Sequence, residues 1–133
     1  MPRDNAEAIH TGYEAMTAGN LDRLLETLDP EIELWTSGAF PDFEPVYRGH
    51  AGVRAFWEAI SAPWESFQLE AERIVEGPDC AAAAVHFRVR GAGSGASTEL
   101  RQGHAFWFRN DLTLRVSTHP SFEDALAATG LRA

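Results

Sequence analysis

The sequence predicts an α+β domain, a curved and mainly antiparallel sheet wrapped round N-terminal helices. Three observations predict it. The apolar pattern runs helix, helix, strand, helix and then four consecutive strands. The joints between the later strands are short and rich in glycine, asparagine and aspartate. One strand, Ser97–Arg109, is long enough to cross a whole sheet. Such a sheet closes on its helices as a cone open at one end. The chain of 133 residues is expected to form one domain, with a core that needs neither disulfide nor structural metal.

Asp4 and Glu7 have capping-box spacing, and Ala6, Ile9, Tyr13 and Met16 recur at helical intervals until Gly19. Asn20 caps a second short helix carrying Leu21, Leu24, Leu25 and Leu28, which Asp29-Pro30 is expected to end. Residues 31–36 read as a strand. Residues 37–47, SGAFPDFEPVY, hold two prolines and a glycine among aromatics. They are expected to form a mobile rim in which Phe40, Phe43 and Tyr47 cover an opening. A third helix follows over 49–60 through Val53, Phe56, Trp57 and Ile60, stopped by Ala62-Pro63. Trp57 is expected to pack beneath the sheet.

Strands are predicted over 65–76 and 80–90, joined by Gly77-Pro78-Asp79. The glycine-rich 91–96 lies between two strands with no helix after it, the wrong context for a dinucleotide loop. Asn110-Asp111 turns the chain from the long strand into a last one, 112–119. Ser121 caps a closing helix through Phe122, Ala125 and Leu126 to Gly130. The helices are expected on one face of the sheet.

Charge and cysteine content narrow the function. A net charge of −9 disfavours nucleic acid and anionic membrane surfaces, both of which reward clustered Lys and Arg, and makes a small neutral or cationic ligand the easier partner. No apolar run approaches a membrane span, the first ten residues lack a signal-peptide core, and Cys80 has no partner cysteine, so a cytoplasmic setting is expected. His10, His50, His86 and His119 lack zinc-ligand spacing; no metal and no cofactor are expected. Arg88, Arg90, Glu99 and Arg101 read as cross-strand charge pairs on the outer face.

Alternation along Ser97–Arg109 puts Leu100, Gln102, His104, Phe106 and Phe108 on one face. His104 is the best chemical group there, because a neutral imidazole can give or take a proton near pH 7. Trp35, Tyr47, Phe56, Phe87, Phe106 and Val116 are expected to form an apolar pocket wall, with Gln102 and Thr118 orienting a small, largely apolar ligand. Glu33, Asp42 and Glu44 are the acids nearest the mouth. On the opposite face Gly103, Ala105 and Trp107, with Ala82 and Ala84 beside them, suggest a flat patch for a two-fold homodimer around Trp107.

Five pieces, AGNLDRLLETLDPEIELW, YRGHAGVRAFW, RGAGSG, GHAFWFRND and FEDALAATGL, together resemble the SnoaL-like branch of the nuclear transport factor 2-like superfamily. The resemblance covers nearly the whole chain and implies a cystatin-like α+β roll with a deep pocket, often dimeric through its outer sheet face. Steroid isomerases of this superfamily carry a catalytic carboxylate where this chain has Leu34 or Trp35. Their aspartic acid hydrogen-bond donor falls at His104, and their first-helix tyrosine near Gly12, with Tyr13 adjacent but expected to point elsewhere on the helix. The arginine and two aspartates of limonene-type epoxide hydrolases fall near Val85, Phe87 and Arg115, so that triad is missing. Polyketide cyclases of the SnoaL type work through a pocket acid or base, which leaves His104. The resemblance implies a cofactor-independent isomerase, cyclase, dehydratase or hydrolase. A non-catalytic ligand-binding or dimerisation module is the alternative.

Overall fold

The computed structural model describes residues 5–36, 43–61, 64–91 and 95–133. Asp4, Ala62-Pro63, residues 37–42 of the expected rim and residues 92–94 of the glycine-rich linker lie outside the described residues. The elements are helix α1 (Asn5–Ala18), helix α2 (Leu21–Glu26), strands β1 (Leu28–Trp35) and β2 (Val46–Arg48), helix α3 (Gly49–Ser61), strands β3 (Trp64–Glu76), β4 (Cys80–Gly91), β5 (Ser97–Arg109) and β6 (Leu112–His119), and helix α4 (Phe122–Thr129). They make the α+β roll the sequence predicts. The sheet runs in the order β2-β1-β6-β5-β4-β3, antiparallel throughout except for the parallel pair β1 and β6.

Local chemistry explains most element ends. Asn20 caps α2 through its side-chain oxygen, which accepts from the Arg23 amide at 3.1 Å. Asn110 and Asp111 both take positive φ, 53° and 66°, the geometry of a two-residue hairpin turn whose twist matches its strands. The expected end of α2 is corrected. Thr27 already caps the helix, Leu28 opens β1 opposite Thr113, and Asp29-Pro30 lies inside the strand, where the β1–β6 register shifts. Proline has no N–H to give a ladder, so it sits where the pairing is irregular. A three-residue strand, β2, also forms across the end of the segment read as loop.

The concave face carries the core. Ile9 and Tyr13 of α1 pack on Ala81, Ala83 and Val85 of β4 and Phe106 of β5. A second cluster ties α2 to α3 and β1 through Leu24, Leu25, Ile32 and Val53. α1 also blunts the free edge of β3: the Thr17 hydroxyl accepts from the Leu69 amide at 3.1 Å and donates to its carbonyl at 3.5 Å.

The convex face holds a correction to the expected dimer patch. Ala82, Ala105 and Ala125 form a buried cluster with Trp107, Phe122 and Leu126 around it, so α4 of the same chain covers the small residues. One helix therefore lies on the face opposite the other three. The approach is close enough to require glycine, since a Cβ on Gly103 would overlap the Ser121 carbonyl oxygen and stand 2.9 Å from the Ala125 Cβ. Elsewhere on this face Arg88 stands 3.4 Å from Glu99, one of the expected cross-strand pairs, while Arg101 pairs instead with Glu72 of β3 at 3.0 Å.

Candidate functional site

Under the helices the cone holds a cavity of about 390 Å³. Its wall is assembled from eight elements, every helix and strand but β2 and α4. β5 contributes Leu100, Gln102, His104 and Phe106; β4 contributes Phe87 and Val89; β6 contributes Val116 and Thr118. These share a face because strand side chains alternate and the strands are in register: His104 stands opposite Ala83 on one side and Thr118 on the other, and Phe106 opposite Ala81 and Val116. The two alanines leave room for α1. Tyr13 settles above them, edge-on to both His104 (centroids 5.8 Å) and Phe106 (6.2 Å).

Tyr13 Oη lies 2.7 Å from His104 Nδ1, which joins the first helix to the long strand at the centre of the cavity wall. Burial pushes the imidazole pKa down to about 4, with the charge of nearby His119 adding to the fall. Burial likewise raises the phenol of Tyr13 well above its ordinary value. Both groups are therefore neutral near pH 7. His104 Nε2 makes no hydrogen bond to any described residue, and the residue is only partly buried. The Gln102 amide, two residues away on the same face, also has no partner among the described residues. Thr27 and Thr36 line the cavity too, but their hydroxyls donate to the Leu24 and Glu44 carbonyls. Among the described residues that line the cavity there is no Asp, Glu, Lys or Arg.

The structure brings His104, Phe56, Phe87, Gln102, Phe106, Val116 and Thr118 to this one cavity. It does not bring Trp35 or Tyr47. Leu34, paired with Val116, takes the inward place, so Trp35 lies on the convex face, with the Arg115 guanidinium 4.9 Å from its ring and its Nε1 donating to Glu33. Tyr47 packs edge-on against Phe56 at 5.3 Å, while its hydroxyl accepts from the Glu44 amide, so Phe56 fills the wall in its place. Glu33 pairs with Arg48, and neither it nor Glu44 reaches the cavity; Asp42 is outside the described residues. Trp57, expected under the sheet, lines the cavity and stands edge-on to Phe67. The sequence reading missed Tyr13 as a partner of His104. Its signal was a hydroxyl in a buried helical stripe, which requires a polar partner.

The SnoaL-like domain model matches residues 9–116, most of the chain and all of the elements that build the cavity except the start of α1 and the end of β6. The chain belongs to the SnoaL-like family. No curated protein matches it significantly. Solved structures of this fold superpose on it closely. TerC crystallised with polyporic acid has a TM-score of 0.77 at 20% identity, covering 96% of each chain. A protein with a ketosteroid isomerase-like fold from Catenulispora acidiphila, in complex with trimethylamine, has a TM-score of 0.75 at 13% identity, covering 95% of this chain and 94% of its own. A cystatin-fold protein from Novosphingobium aromaticivorans has a TM-score of 0.72 at 17% identity, covering 87% and 97%. At these identities the likeness is one of fold, and what this SnoaL-like chain does rests on its own cavity.

Proposed function

We propose that the cavity takes a small, neutral, largely apolar molecule and that His104 acts on it as an acid/base group, in an isomerisation, cyclisation, dehydration or hydrolysis. The observation that carries this reading is a wall with no carboxylate, ammonium or guanidinium among its described residues and one neutral imidazole near its centre. A charged ligand would lose its hydration with nothing opposite to replace it, whereas a neutral one gains from apolar contact. Phe56, Phe87, Phe106 and Val116 supply that contact, and Gln102 and Thr118 flank the imidazole. The ligands in the TerC and Catenulispora structures, both small organic molecules, agree with a binding site in this fold.

A panel of enones, epoxides and polyketide-like lactones, run against the wild type, His104→Asn and Leu34→Trp, tests the reading. Turnover should fall by about 10²-fold in His104→Asn with the fold intact. Leu34→Trp, which fills the cavity from β1, should abolish binding without lowering the melting temperature. Activity unchanged in His104→Asn removes the imidazole from its role. Binding unchanged in Leu34→Trp moves the site elsewhere. Leu34, an apolar residue in the wall, favours a second reading, a binding module; binding by the wild type with no turnover on any panel member selects it.

Self-association through the convex face is part of the proposal. Arg115 stands between Trp35 and Trp107, 4.9 and 5.0 Å from their rings, a cluster of the residue types that dominate interfaces. Sedimentation at tens of micromolar should show a dimer that Trp107→Glu converts to monomer; a monomeric wild type discards the interface.

A further inference from the structure

We infer that Tyr13 donates its proton to His104 Nδ1 and thereby fixes the imidazole as the Nε2–H tautomer, so that the cavity offers a hydrogen-bond donor and selects ligands bearing an acceptor oxygen at their polar end. The inference deepens the function proposed above and rests on it for the ligand, though not for the tautomer.

Three physical points set the direction of this hydrogen bond. Tyr13 is 6% exposed, and among the described residues its hydroxyl has one hydrogen-bond partner, the Nδ1 of His104. If Nδ1 carried the ring proton, it would donate to the phenol oxygen and the phenol proton would be left without an acceptor in an apolar wall, which a buried hydroxyl avoids. Placing the proton on Nε2 satisfies both groups at once. Second, a phenol is a better donor than acceptor because its oxygen lone pair is shared with the ring, while an unprotonated imidazole nitrogen is a strong acceptor. Third, the 2.7 Å separation is the usual length for an O–H donor and at the short limit for an N–H donor.

The consequence is directional. With Nδ1 occupied as acceptor, Nε2 bears hydrogen and has no lone pair for a ligand proton. His104 thus begins as a neutral donor that polarises a carbonyl, ether or epoxide oxygen, and it cannot begin as a base at Nε2. Tyr13 is a positioning residue, acting through His104. Gln102 lines the same wall with an amide that has no partner among the described residues and can add a second donor to the same oxygen.

Nitrogen NMR of the wild-type imidazoles tests the tautomer, and three tricyclic probes of nearly one shape test the ligand class: 9-fluorenone with an acceptor, carbazole with a donor, fluorene with neither. The expected spectrum at pH 7 shows His104 Nε2 protonated and Nδ1 bare. Fluorenone should bind about 10-fold tighter than fluorene and carbazole, the worth of one hydrogen bond. In Tyr13→Phe the tautomer is released, Nδ1–H signal appears, and the preference for fluorenone narrows. A wild-type Nδ1–H signal overturns the assignment outright, as does tighter binding of carbazole than of fluorenone. A bare Nδ1 with no binding of any probe overturns instead the binding reading from which the ligand class follows.

Discussion

Gly103→Val should unfold the protein at a melting temperature roughly 10 °C or more below the wild type, the equivalent of about 3 kcal/mol. The reason is the seating of α4. The glycine Cα faces the helix N-terminus so closely that even one added carbon would overlap the Ser121 carbonyl oxygen, approach its carbonyl carbon to 2.7 Å and reach the Ala125 Cβ at 2.9 Å. Two of these three are backbone atoms, which cannot rotate aside as a side chain tip can. The helix must therefore lift, and lifting it exposes Ala82, Ala105 and the flank of Trp107 together. Gly12→Ala is the control. Its new carbon would meet Leu24 Cδ1 at 3.6 Å, ordinary contact, and alanine suits a helix better than glycine by up to about 1 kcal/mol. Thermal unfolding followed by circular dichroism distinguishes the two, and a Gly103→Val protein as stable as the wild type would mean that α4 does not seat against Gly103.

Acid should weaken the protein by up to about 3 kcal/mol through His104 alone, spread between pH 6.5 and about 4. The folded-state pKa is about 4, depressed first by burial and then by His119, whereas in the unfolded chain the imidazole titrates near 6.5. In that window the unfolded chain holds a proton the folded chain refuses, so stability falls as pH drops, and above 6.5 this contribution is flat. His119 is also depressed by burial and titrates in the same direction. Asp29, held low by Arg109 and by the Glu31 amide, loses its own contribution below its unfolded value near 4, at the acid end of the range. Urea unfolding of the wild type and His104→Gln from pH 8 to 4.5 isolates the one group. The wild-type curve should fall more steeply, and parallel curves would show that His104 charges freely in the folded state.

Strand alternation made much of the cavity legible. β5 pairs with β4 over Ser97–Trp107 and with β6 over Gly103–Arg109, so the period of two fixes which of its residues point inward and, through register, fixes Phe87 and Val116 beside them. The same logic failed at Trp35 because a one-residue slip exchanges the faces of a strand, and the irregular pairing between Leu28 and Glu33 removes any count carried in from the helix. Gly103, Ala105 and Ala82 read in the sequence as a flat patch for a second subunit. What approaches is this chain's own α4, and small residues read the same whether a helix or a second subunit covers them. Tyr13 was hidden for another reason: the contact with His104 spans 91 residues of sequence and depends on Ala81 and Ala83 leaving space, which no local pattern encodes.

The parallel pairing of β1 with β6 sets a delay in the life of the chain. Leu34 meets Val116 about 80 residues later, and at translation rates of roughly 5–20 residues per second the ribosome needs some 4–16 s to supply the partner. Until then β1 has, among the described strands, only the three-residue β2 beside it, and Ile32 and Leu34 have no sheet to lie in. Contacts this distant in sequence make folding slow as well as late. The first strand made is among the last to be placed, so the nascent chain passes through its synthesis with an apolar strand uncovered and open to chaperones.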